Sequence, residues 1–168
     1  MGRTSPIRHT IFLMVVCAAL IQAATAQAGH ISGTLRINTP DGSTFSGDWI
    51  RVLLTSSAVS VPDVPPLDGL APLARYDRIV SVHMDFFVNF QQRLPEPGFL
   101  VASVLTRETG EFKFIDVAPG RYFIIVTFPS IIGGYKAAWQ VPVTVPATGH
   151  PAPVSLGWQN MLLPTQKR

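Results

Sequence analysis

Cysteine is almost missing from this chain. Its one cysteine, Cys17, falls within the first 28 residues, so no disulfide and no Cys-x-x-Cys metal or redox site is available to the remaining residues. Histidine is scarce, four in 168 residues, and no His-Glu-x-x-His occurs. A Gly-x-Ser-x-Gly nucleophile turn is lacking, as is a glycine-rich phosphate loop ahead of a helix. These absences leave no catalytic residue, no cofactor site and no metal site to name, and the expectation is a chain that is not an enzyme.

Long apolar runs are missing too, except near the start. Residues 1–28 read as an export signal: Arg3 and Arg8 form a basic head, Ile11 to Ile21 an apolar centre, and Ala26-Gln27-Ala28 a small-x-small cleavage site. The apolar centre is short for a membrane span. Cys17 is preceded by Val16 rather than a small residue, which argues against a lipid anchor. A secreted or periplasmic location is expected, with no stable membrane insertion after signal cleavage.

Without residues 1–28 the chain keeps 140 of its 168 residues, enough for one domain with a real core. Loss of Arg3 and Arg8 reduces the 13 basic residues to 11, against 10 acidic ones. Near-neutral charge offers no basic surface for nucleic acid. The partner expected is an unidentified protein or glycan.

What the sequence does contain is a two-residue rhythm broken by glycine and proline corners. Ile31, Gly33, Leu35 and Ile37 alternate with Ser32, Thr34 and Arg36, a strand with one buried face. Thr39-Pro40-Asp41-Gly42 forms a turn, and Trp49 to Leu54 a second strand, with Trp49 placed in the core. Ser56 to Pro72 carries four prolines and reads as a loop. In Ile79 to Gln92, residues Val80, Val82, Met84, Phe86, Val88 and Phe90 share one face in a period of two. A helix would gather only Ile79, Phe86 and Phe90, so the period predicts a strand, followed by a loop at Leu94–Gly98 and a returning strand at Phe99–Leu105.

The central stretch runs from Thr106 to Phe128. Gly110 is free to take the positive φ of a tight turn, Phe112 and Phe114 alternate with Glu111 and Lys113, and Pro119-Gly120 makes a second turn into Tyr122–Phe128. Strands at Ala138–Val145, with Pro142 marking an edge or a bulge, and at Val154–Trp158 complete the pattern. Short strands without an interleaved helix argue for an all-β antiparallel sandwich with consecutive strands paired.

The run Gly110-Glu-Phe112-Lys-Phe114-Ile-Asp-Val117-Ala-Pro119-Gly120-Arg-Tyr122 resembles the signature of carboxypeptidase regulatory-like domains. Ile31-Ser-Gly33-Thr-Leu35, Gly134-Tyr135 and Val141–Val145 also resemble that family's strands. The resemblance implies a prealbumin-like (transthyretin-like, Ig-like) sandwich of seven or eight strands over residues 29–163, with a long insertion at about 56–98 and a polar tail at 164–168. It implies no shared catalytic residue. Related chemistries find no support: 140 residues cannot also hold a zinc carboxypeptidase domain, and the chain ends Pro-Thr-Gln-Lys-Arg rather than Tyr-Arg-Gly-Ser as purine-pathway hydrolases of this fold do. Residues 29–55 contain no lysine for a pilin-type isopeptide bond.

Two groupings remain. His83 and Asp85, two apart on one strand face, could share a proton or a metal, but two ligands do not make a metal site. His30 and His150 are placed on surface loops. Among aromatics, Trp49, Tyr76, Tyr135, Trp139 and Trp158 could form a platform, because sugar rings stack on exposed aromatic faces; Tyr135, Trp139 and Tyr76 form the candidate ligand-binding group, and the core is favoured for Trp49. The function expected is protein binding or envelope assembly, with strand addition at the edge of the Ile79–Leu105 hairpin as one route. The alternative is a carbohydrate-binding module.

Overall fold

Strand β1 (Gly29–Asn38) realises the first alternation, with Ile31, Leu35 and Ile37 fully buried and Thr34 and Arg36 exposed. The computed structural model describes residues 28–63, 66–127, 129–148, 151 and 153–162. Residues 1–27 of the export signal expected at 1–28, with Cys17, and also His150 and the tail 164–168, lie outside the described residues.

After β1 come β2 (Thr44–Ser46), β3 (Arg51–Thr55), α1 (Pro72–Arg93), β4 (Leu100–Leu105), β5 (Glu111–Val117) and β6 (Gly120–Val126). Then follow β7 (Ile131–Ile132), β8 (Tyr135–Lys136), β9 (Trp139–Val145), β10 (Val154–Leu156) and a 3-10 turn at Trp158–Asn160. One four-stranded sheet joins β1 to β2, β5 and β10; the other runs β4-β3-β6-β9. Strands β7 and β8 form a separate hairpin. The two larger sheets face each other across a core of Ile31, Leu35, Val52, Leu54, Phe114, Ile124 and Trp139. The fold is a β-sandwich, and among the described residues its two larger sheets hold eight strands.

Pairing is less regular than the sequence suggests. Strand β10 runs parallel to β1, with Gly33 opposite Val154. Strands β5 and β6 are not a hairpin, since β5 pairs with β1 and β6 with β3 and β9. Pro119-Gly120 is therefore a corner between sheets, and the positive φ sits at Asp116 (φ 56) rather than at Gly120. The Gly110 turn is as expected, with φ 80 and its N–H donating to Arg107 O at 2.9 Å. Only glycine fits there, because a Cβ would lie 2.2 Å from Leu35 O.

The segment Ile79–Gln92 is a helix, not a strand. It belongs to the 22-residue α1, which buries Ile79, Val82, His83, Phe86 and Phe90 at helical spacing and leaves Val88 exposed. Apolar residues at nearly every second and fourth position satisfied both periods. Length decides between them, because strands seldom exceed about 10 residues. Pro72 supplies the first helical position. The helix forms a third layer: Phe86 and Phe90 pack with Leu53, Phe99 and Ile125 on the outer face of the β4-β3-β6-β9 sheet. The returning strand β4 therefore has no partner in the insertion and lies at the sheet edge.

Arg93 fastens the end of α1. Its guanidinium pairs with Glu96 at 2.7 Å, donates to Ser57 Oγ at 3.0 Å and lies 4.4 Å from the centre of the Phe99 ring. Gln140 ties the loop to β9, accepting the Val59 N–H at 2.7 Å and donating to Val59 O at 3.0 Å.

Candidate functional site

The link between β2 and β3 crosses from one sheet to the other in a few residues, and both of its ends are pinned. Gly47 is buried and donates its N–H to Leu35 O at 3.0 Å; a Cβ there would strike Leu35 Cδ2 at 2.0 Å. Ile50 donates its N–H to Thr106 Oγ1 at 2.8 Å, and Thr106 N–H donates to Ile50 O at 2.9 Å. Asp48 and Trp49 must turn between these pins. Trp49 does so at φ 56, a left-handed conformation that costs a bulky residue on the order of 1–2 kcal/mol. Its indole is 64% exposed. The expected core position for Trp49 is thus corrected: the pins on either side turn its side chain outward.

An open groove of about 470 Å³ is lined by Trp49 together with Leu105, Thr106, Arg107, Glu108, Thr109 and Glu111. A second, of about 550 Å³, shares Leu105, Arg107 and Glu111 with it and extends along Ser32, Thr34, Lys113 and Ser155. The two adjoin at Leu105, Arg107 and Glu111, beside the turn between β4 and β5. An aromatic face, two carboxylates, two cationic side chains and several hydroxyls converge there. The arrangement can stack a flat apolar ring and hydrogen-bond polar groups at its rim; its lining holds no nucleophile paired with a base.

The aromatic group named from sequence is divided by the structure. Trp139 is fully buried, with its indole N–H donating to Gly157 O at 2.9 Å. It has no face to offer a ligand, because β9 turns it into the core between the sheets, and its place in the ligand-binding group is corrected accordingly. Tyr135 is half-buried between Phe45 (ring centres 6.1 Å apart) and Trp158 (5.5 Å, edge to face). Tyr76, in the first turns of α1, is also half-buried, with Lys136 Nζ 5.6 Å from its ring centre. Tyr135 and the Lys136 that reaches Tyr76 are neighbours in β8.

His83 is 2% exposed, on the covered side of α1, while Asp85 is exposed. Two residues apart on a helix is about 200°, so the proton- or metal-sharing pair foreseen on a strand does not form. His30 lies within β1 and is half-buried rather than in a loop. Among the described residues no group of three or more His, Cys, Asp or Glu could hold a metal, and no helix is long and apolar enough to cross a membrane.

Sequence reasoning raised Trp49 as one member of an aromatic platform but favoured the core for it, and its 64% exposure overturns that preference. The Gly47-Asp48 turn ahead of it was the available signal, but the pin at Thr106 is more than fifty residues away.

No family model matches the chain, so the resemblance to carboxypeptidase regulatory-like domains rests on the residues that carry it. No curated protein matches either. Among solved structures, a candidate carbohydrate-binding protein of Pseudomonas aeruginosa is similar over 77% of this chain and 88% of its own, at 19% identity and a TM-score of 0.43. The major pilin subunit of Bacillus cereus is similar over 80% of this chain and 30% of its own, at 12% identity and a TM-score of 0.30. The pilus backbone protein of Streptococcus pneumoniae is similar over 75% of this chain and 40% of its own, at 8% identity and a TM-score of 0.33.

Proposed function

We propose that this chain is an exported, non-catalytic β-sandwich of the cell envelope that assembles by adding strand β4 to β4 of a second copy. The observation that carries this reading is the contrast between β4 and three of the other edge strands, β9, β10 and β5. Strand β9 has Pro142 in its middle, which removes a ladder donor. Strand β10 is three residues long and preceded by Pro151 and Pro153. Strand β5 presents the exposed charges of Glu111, Lys113 and Asp116. Each is a known device against edge-to-edge pairing.

Strand β4 has none of them. Its sequence, LVASVL, is uncharged, with Leu100, Val101 and Leu105 at 40%, 44% and 50% exposure. Val104 pairs with Val52 and Thr106 N–H reaches Ile50 O, so antiparallel alternation turns the N–H and C=O of Ser103 and Leu105 toward the open side. Two copies related by a two-fold axis would set Ser103 against Ser103 and Leu105 against Val101, with no like charges opposed.

Sedimentation of the chain from residue 29 onward tests this. A concentration-dependent dimer is expected, and Ser103→Lys should convert it to monomer without lowering the melting temperature. A wild-type chain that stays monomeric at millimolar concentration overturns the reading.

A further inference from the structure

We infer that the depression beneath Trp49 is a binding site for a neutral pyranoside chain. The backbone that carries the surface aromatic is fixed on both sides. Gly47 and Ile50 are fixed by hydrogen bonds to the two sheets, and the backbone between them is kept in a conformation that a tryptophan adopts at a cost. Strain retained at an exposed aromatic is the signature of a site where presentation outweighs stability. An indole that is 64% exposed offers a flat apolar face of the size of a sugar ring, and the C–H face of a pyranose stacks on it.

The surrounding polar groups fit hydroxyls rather than a charged ligand. Glu108 and Glu111 accept hydrogen bonds, and Arg107 donates them. Lys113 joins them in the adjoining groove, so the two acids and two bases cancel. A uronic acid or a phosphate would meet both carboxylates, and a cationic ligand both bases. Vicinal hydroxyls, each donor and acceptor, satisfy the mixture. Two grooves of about 470 Å³ and 550 Å³ that adjoin at Leu105, Arg107 and Glu111 suit several linked sugars better than one. This site does not depend on β4 pairing, although Leu105 borders both, so a dimer would close one end of the groove.

The test uses intrinsic tryptophan fluorescence of the chain from residue 29 onward, titrated with neutral hexasaccharides: β-1,4-linked glucose, N-acetylglucosamine, mannose and galactose, and α-1,4-linked glucose. At least one should give a saturable change in emission. Trp49→Gly should abolish that change and weaken binding measured by calorimetry more than about tenfold, while leaving the melting temperature unchanged or higher. Glu111→Gln should weaken binding, and Tyr135→Ala should not. No response to any of the five sugars overturns the inference, as does a response that survives in Trp49→Gly. Preferential binding of polygalacturonate would overturn the neutral assignment. Adsorption of Trp49 to phosphatidylglycerol vesicles without a sugar response would assign the side chain to a membrane surface instead.

Discussion

The Thr106 hydroxyl accepts the Ile50 N–H at 2.8 Å while the Thr106 N–H returns a bond to Ile50 O at 2.9 Å. One buried threonine, 1% exposed, thereby closes the sandwich at the point where the chain changes sheets. Thr106→Val keeps the volume and removes the acceptor, leaving a buried N–H unsatisfied. It should destabilise the fold by about 1–3 kcal/mol, read as a lower urea midpoint with unchanged slope.

Trp49→Gly should act in the opposite direction. Relief of the left-handed backbone is expected to add on the order of 1 kcal/mol, set against the greater freedom glycine gives the unfolded chain. Differential scanning calorimetry would read a small rise in melting temperature, or none; a clear fall would mean that the indole supports the fold.

Trp139→Ala should be severe. The change opens a cavity in the centre of the sandwich and strips Gly157 O of its donor, a loss of about 3–5 kcal/mol. Against a typical total of about 5–15 kcal/mol, the variant should melt far below wild type, as followed by near-ultraviolet circular dichroism.

Acid should weaken the fold through two surface carboxyls. Glu96 is held below its ordinary 4.5, chiefly by the hydrogen bond from Arg93. Asp41 is held below its ordinary 3.8, chiefly by the Thr39 hydroxyl and then by the Ser43 N–H. A carboxyl with a depressed folded value stabilises the fold above its unfolded value, and that contribution disappears as pH falls through the folded one. Urea midpoints should therefore drop between about pH 5 and about pH 2, and the Glu96→Gln, Asp41→Asn double variant should show a shallower drop.

Residues whose role is local were legible in the sequence. Gly42 and Gly110 both take the positive φ their turns require, and the alternation in β1 and β5 names the buried faces correctly. Residues whose role depends on distant partners were not. The helix was hidden because Val82, Phe86 and Phe90 also sit two or four apart, so the apolar spacing suited either element. What settles it is the uncovered outer face bearing Leu53 and Ile125, brought together by pairing between β3 and β6. The site was hidden for a related reason. Hydrophobicity sends a tryptophan inward, yet Trp49 is turned out and Trp139 turned in by hydrogen bonds to Thr106, Leu35 and Gly157. None of those partners is near in sequence to the residue it positions.

The parallel match of Gly33 with Val154 sets the order in which the molecule can form. Strand β1 is the first described strand made, and one of its neighbours is the last, so one sheet cannot close until nearly the whole polypeptide is present. Joining segments so far apart is slow. During that wait the uncharged β4 is open to neighbouring chains, so the refolding yield should rise on dilution.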